Sequence, residues 1–217
     1  RRKRILKAYR SAGFDVQTLQ DIRSLKLDDV LAVKPRLSLA YSTTAAAEGA
    51  VSGVFASGGS VAAVLGMGVA SAPGVGVTAS AIAVDITTFL AAATRLVAHT
   101  AAYYGYDSED PTERLFSTMV LSQAIDPTGS GHDFVVEKQT TMLAFNKVMR
   151  DLARRGSLDG LGGNVVVSAM NSLFSAMGVR LASRKLAQIV PVAGVVVSAG
   201  LNAALMRTIG DTADHLY

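Results

Sequence analysis

The chain has 217 residues, half of them hydrophobic, and a net charge of +4, of which the opening Arg1-Arg2-Lys3-Arg4 supplies the excess. That length suits one domain or one domain with a short arm, and the absence of cysteine excludes disulfides and thiol catalysis. Scarce aromatics, scattered basic residues and the lack of a recognition helix exclude nucleic acid as the expected partner.

The chain opens without methionine and without a leader pattern, and is expected to be part of something longer. Residues 1–34 read as a basic helical arm and 35–217 as the main domain. Arg1 to Ala12 suits a helix with Ile5, Leu6 and Tyr9 on one side and Gly13 as its stop. Asp15 is the expected N-cap of a short amphipathic piece through Ile22. Leu25, Leu27, Val30 and Leu31 form another apolar patch, with Asp28 and Asp29 suited to a helix start. Pro35 is placed as a first-turn proline for a helix from Arg36 to about Phe55.

From Gly49 to Val84 there is no charge for about 36 residues, longer than the roughly 20 a helix needs to span a bilayer. Ala, Gly, Ser and Val dominate the run, and small residues four apart let helix backbones approach closely. The stretch must be covered, by protein or by lipid. Ser57-Gly58-Gly59 breaks it, and Ala72-Pro73-Gly74-Val75-Gly76 is the strongest turn signal in the chain. Thr78 to Tyr104 then reads as one long helix closed by Tyr104-Gly105-Tyr106-Asp107, with Gly105 a good left-handed cap. This helix is expected at the centre, touching both the segment before Pro73 and the helix after Pro191.

Beyond the polar connection 107–111, Thr112 to Gln123 and Asp133 to Arg155 read as amphipathic helices separated by the linker-like Asp126 to Gly131. Asn164 to Gly178 and Arg180 to Ile189 read as further helices. Leu186 to Met206 is a second long uncharged run, interrupted by Pro191, and the chain is expected to end in a polar turn at Arg207, Asp211, Asp214 and His215. SAPGVGV and IVPVAGVVV resemble each other enough to raise an internal duplication. No alternating strand pattern of any length is present. The fold class is therefore all-α: a compact bundle of small-residue-rich helices with amphipathic outer helices.

Few residues invite chemistry. Asp85 ends the uncharged run and shares a helix face with His99, about 20 Å away. Arg95 and His99 are four apart and within reach of each other. A carboxylate among Ala, Val and Ile must be paired or protonated, so Asp85 is expected to hydrogen-bond a neighbouring helix, and Asn202 is expected to act likewise as a buried register pin. His99, His132 and His215 have no second ligand at metal-binding spacing, so no metal or other cofactor is expected. Walker, GxSxG and HExxH patterns are all absent, and no catalytic residue is assigned. Tyr103, Tyr104 and Tyr106 cluster at the polar end of the long helix, at a lipid interface or closing a core.

In order, Pro73-Gly74-x-Gly76, Val84-Asp85-Ile86, Arg95, Tyr104-Gly105-Tyr106-Asp107, Ile189-Val190-Pro191-Val192-Ala193-Gly194, Asn202, Gly210 and Ala213 resemble the signature of the EcsC family. The resemblance runs from about Pro35 to His215. It departs where the family's Gly-Ala pair is here Ala193-Gly194. What it implies is a bacterial helical protein without an assigned reaction, named for an operon whose other members look like an ABC transporter ATPase and permease. The setting implied is cytoplasmic, peripheral at the inner face of the cell membrane.

Three readings of function follow. The first is a non-enzymatic, membrane-associated or lipid-interacting protein, accessory to a transport or secretion system. Its partner would be lipid or a membrane-protein complex, with homo-oligomers open. Val64, Leu65, Pro73 and Gly74 would be the membrane contact, and Arg1–Arg4 the basic aid to it. The second is a soluble helical interaction module, and the third an enzyme with an unrecognised site. Asp85, Arg95, His99, Tyr104, Tyr106, Asp107 and Asn202 are the polar residues on which any site would be built.

Overall fold

The computed structural model describes residues 1–47, 72–125 and 194–217, with residues 175, 177, 178 and 181 between them. The side chains at 72–84, 111 and 194–198 lie outside the description. The fold is all-α. In chain order, α1 is Arg2–Ser11, α2 Leu19–Ile22, α3 Leu27–Val33, α4 residues 37–47, α5 Ala72–Tyr103, α6 Pro111–Ile125 and α7 Gly194–Leu216. The chain divides into two compact units. The first is built from Arg1–Leu37, Thr94–Met177 and Ile209–Tyr217, the second from Ser38–Ala93 and Gly178–Thr208.

The first unit starts with α1, which buries Ile5, Leu6 and Tyr9 and turns Arg2, Lys3, Arg4, Lys7 and Arg10 outward. Gly13 ends it as expected, at φ +92°, with Phe14 N–H bonded to Tyr9 O and Gly13 N–H to Arg10 O, a Schellman closure. The cap of α2 is Thr18, not Asp15. Asp21 reaches back to accept from the N–H groups of Gln17 and Thr18, both at 2.7 Å, and this reciprocal box outcompetes a lone Asp placed further upstream. Those bonds hold the Asp21 carboxyl below the ordinary carboxylate range, that from Thr18 most of all. Asp15 instead accepts from the Gln17 side chain.

Of the apolar patch on α3 only Val30 is buried, while Leu27 and Leu31 are 60% and 49% exposed. Pro35 lies just before α4 rather than inside its first turn, its carbonyl accepting from Leu37 N–H at 2.8 Å. The stretch from 48 to 71, including Ser57-Gly58-Gly59, Val64 and Leu65, lies outside the described residues. So do the expected helix over 133–155 and most of 164–189.

The expected turn at Pro73-Gly74 is a helix. α5 begins at Ala72, six residues before the expected start, and Pro73 sits in its first turn. Proline is tolerated there because the first N–H groups of a helix have no intrahelical partner. The far end closes as the sequence indicates. Gly105 adopts φ +87°, Tyr106 N–H bonds Ala101 O at 2.9 Å and Gly105 N–H bonds Ala102 O at 3.2 Å. A Cβ on Gly105 would lie 2.5 Å from Leu19 O and 2.6 Å from Arg23 Cγ. Glycine is thus demanded twice, by backbone conformation and by the close pass of α2.

α6 starts at Pro111, with Asp110 as its cap accepting from Thr112 N–H at 2.7 Å. It is less amphipathic than its sequence suggests. Ser117 and Thr118 are buried beside Leu115, Val120, Leu121, Ala124 and Ile125, and Thr118 is satisfied by its own helix through Arg114 O at 2.8 Å. The expected terminal polar turn is also a helix. α7 continues through Arg207, Asp211 and Asp214 to Leu216, burying Ile209 and Ala213 while the charged residues take the other positions. Among the described residues, no helix is long and apolar enough to cross a membrane.

Candidate functional site

In the second unit, α5 and α7 meet through the two polar residues that interrupt their apolar runs. Asp85 is 6% exposed and Asn202 1%. Asn202 Nδ2 donates to Asp85 Oδ1 at 3.4 Å, and Asn202 Oδ1 has no partner among the described residues. The contact links the long helix to the one after Pro191; its contact with the segment before Pro73 falls outside the described residues. At 3.4 Å the bond is long, and its net contribution to stability is expected to be small.

The other candidate residues belong to the first unit. Arg95 is exposed. His99 is half-buried, its ring 5.5 Å from that of Tyr103. Burial, and then the positive charges of Arg1 and Arg4, lower its pKa below the ordinary histidine value. Tyr103 and Tyr104 are buried and close a core. Tyr9 donates its hydroxyl to Tyr103 O at 2.6 Å, occupying a carbonyl that the end of α5 leaves open. Burial raises the pKa of Tyr9, Tyr103 and Tyr104 alike. Beside Tyr104, at 5.8 Å from its ring, lies Lys34 Nζ, which contacts both carboxylate oxygens of Asp214 at 2.8 and 3.0 Å. The Lys34 side chain is only 5% exposed.

Tyr106 and Asp107 stand apart from these. With Arg2, Arg23, Asp110 and Glu113 they line a cleft of about 480 Å³ between α1, α2, the 105–110 loop and the first turn of α6. The Gly105 turn shapes it, since the close pass at Leu19 and Arg23 sets the loop against α2. Arg23 lies over the Tyr106 ring, 4.7 Å from its centroid. Arg2 and Asp107 make a loose pair at 3.7 Å between two exposed side chains. Glu113 forms the inner edge. Tyr217 donates its hydroxyl to Glu113 Oε1 in a short bond, and Ser117 Oγ lies 2.9 Å from the Tyr217 hydroxyl and 3.4 Å from Glu113 Oε1. Burial raises the Glu113 pKa despite the two hydroxyl bonds that oppose it. The Tyr217 hydroxyl is pushed up too, by burial first and then by Glu113.

Each carboxylate here commits one oxygen to the protein. Asp107 Oδ1 accepts from Glu109 N–H at 3.0 Å, Asp110 Oδ1 from Thr112 N–H, and Glu113 Oε1 from Tyr217 and Ser117. The second oxygen of each has no hydrogen bond among the described residues. Sequence reading found Tyr106 and Asp107 but missed Arg2, Arg23, Asp110, Glu113 and the Lys34–Asp214 pair. The usable signal was the Asp110-Pro111 cap, which fixes where Glu113 falls. The partners contributed by α1 and α2 are distant in sequence and left no signal.

Among the described residues, no group of three or more acidic, His or Cys side chains is arranged to hold a metal ion. The cleft presents guanidinium, carboxylate and hydroxyl groups together. No curated protein and no solved structure matches the chain. The model of the EcsC protein family matches residues 60–217, nearly three quarters of the sequence, and the chain belongs to that family.

Proposed function

We propose that the protein is a non-enzymatic helical module that associates peripherally with anionic membrane surfaces. One observation carries this reading: the outward face of α1. Arg1, Arg2, Lys3, Arg4, Lys7 and Arg10 are all exposed, while Ile5, Leu6 and Tyr9 anchor the helix to the body of the first unit. The cations are thus held together on a fixed surface. Each basic residue near an anionic bilayer contributes about 1 kcal/mol, so the set supports reversible binding without an inserted helix. With its apolar side committed to the protein, α1 would bind by charge alone. The attachment should then be strongly salt-dependent. A role beside a transport system, inside the cytoplasm, accords with the family's operon setting.

Flotation with vesicles of phosphatidylcholine containing or lacking phosphatidylglycerol tests the proposal. Binding is expected only with the anionic lipid and should fade as salt is raised. Replacing Lys3, Arg4, Lys7 and Arg10 with Glu should abolish it, with the helical circular dichroism unchanged because all four are exposed. Binding retained by that folded variant would shift the contact elsewhere, with Val64→Asp/Leu65→Asp the next variant to examine. No binding by the wild-type protein at low salt would favour a soluble protein-interaction module instead.

A further inference from the structure

We infer that the cleft of the first unit is a binding site for a zwitterionic phosphoethanolamine group. The ligand is a phosphate joined through two carbons to a primary ammonium. The cleft is built from both signs of charge, which does not suit a simple anion or a simple cation. Arg2 and Arg23 line it with guanidinium groups that donate no hydrogen bond among the described residues, Arg2 having only its loose contact with Asp107. A phosphate accepts bidentately from such groups. Asp107, Asp110 and Glu113 line it too, each with one oxygen hydrogen-bonded to the protein; of their second oxygens, that of Asp107 has the loose 3.7 Å contact with Arg2 and those of Asp110 and Glu113 accept no hydrogen bond among the described residues. An ammonium carries three N–H donors, enough for these oxygens once a phosphate draws Arg2 away from Asp107. A quaternary ammonium has none, so the site should reject choline. At about 480 Å³ the cleft holds such a group with room for water.

The membrane-surface reading supplies the source. Arg2 belongs both to the basic face of α1 and to the cleft wall. A protein seated by that face would present the cleft at headgroup level, where phosphatidylethanolamine carries this group. The assignment of a lipid source rests on that reading, whereas the chemistry of the cleft does not.

Titration of the whole chain with O-phosphoethanolamine, followed by NMR at Tyr106, tests the cleft without any membrane. Shifts at Tyr106 are expected, with phosphocholine and inorganic phosphate each binding at least about fivefold more weakly. Arg23→Gln, at an exposed position, and Asp107→Asn, at a half-buried one, should each weaken phosphoethanolamine about fivefold or more. Equal binding of phosphocholine, or no response at Tyr106, overturns the inference. Flotation is then compared at constant phosphatidylglycerol with the remainder phosphatidylethanolamine or phosphatidylcholine. A preference for ethanolamine lipid that Arg23→Gln removes identifies the lipid source. Soluble binding without that preference identifies a free small molecule and rejects the lipid source. Failure to float on any anionic vesicle strikes the membrane reading alone, since the soluble titration is independent of it.

Discussion

Two glycines close helices in the same left-handed conformation, yet their substitution should not cost the same. At Gly13 an added Cβ meets nothing within 4 Å. Gly13→Ala therefore pays only for the backbone region, about 1–2 kcal/mol. At Gly105 the same methyl collides with Leu19 O, a backbone atom, as well as with Arg23. Gly105→Ala should cost at least about 2 kcal/mol more than Gly13→Ala and should also disturb the Tyr106 cleft. Urea unfolding of the two variants checks the order, and equal costs would show that α2 yields freely. Both glycines were legible in the sequence, because a glycine after a periodic run has a specific backbone meaning. The second demand on Gly105 was not, since it comes from a residue more than eighty positions away. The same locality explains the α2 cap. Asp15 and Thr18 are both good N-caps in isolation, and Asp21 decided between them.

Among the helices, α3 and α7 are joined by an ion pair whose two ends sit in different surroundings. Lys34 is 5% exposed and Asp214 31%. Removing either side chain breaks the same contact but strands different charges. Asp214→Ala leaves a buried ammonium, which is expensive, on the order of 3 kcal/mol. Lys34→Met keeps the apolar stem beside Tyr104 and leaves a carboxylate that water can reach. Asp214→Ala should therefore be clearly the more destabilising in thermal or urea unfolding; the reverse order would mean that Lys34 gains water once unpaired. The expected polar turn at the chain end hid this pair, because α7 had to continue through Asp214 for the contact to exist. The run of charged residues from Arg207 suggested a stop, whereas Ile209 and Ala213 carry the buried face onward. The start of α5 was misread for a related reason: Pro73-Gly74 is both a turn signal and an acceptable first helical turn, and only flanking contacts choose. By contrast the helical class, the closing Gly105 turn and the polar character of Asp85 and Asn202 could be read directly. The sequence says that each of those two side chains needs a partner; the fold supplies that they find each other.

Over the whole molecule, stability should carry two opposed acid–base contributions. His99 has its pKa held down in the folded state, so below its ordinary 6.5 the unfolded chain takes up the proton first and acidification destabilises. Glu113 has its pKa held up, so the folded state keeps its proton longer and stability is lost as pH rises from the ordinary 4.5 through the folded value. His99→Gln should lose less stability than the parent between about pH 7.5 and about 5.5. Glu113→Gln should lack the decline that begins above about 4.5. Denaturant midpoints across this range test both, and parallel profiles for all three proteins would refute the assignment.

Chain connectivity has one more consequence, in the order of assembly. The first unit draws on Arg1–Leu37, Thr94–Met177 and Ile209–Tyr217, with the second unit's segments lying between them in sequence. Its Lys34–Asp214 ion pair joins residues 180 apart, and the Tyr217 hydroxyl reaches back 104 positions to Glu113. Contacts of such separation make folding slow, because loop closure must be met before they reward it. During synthesis α1 would leave the ribosome with Ile5, Leu6 and Tyr9 uncovered and wait for residues beyond 94, and finally for those beyond 209. A chain cut short before Ile209 should therefore remain sensitive to protease, however long it is given, and become resistant only when the segment Ile209–Tyr217 is present.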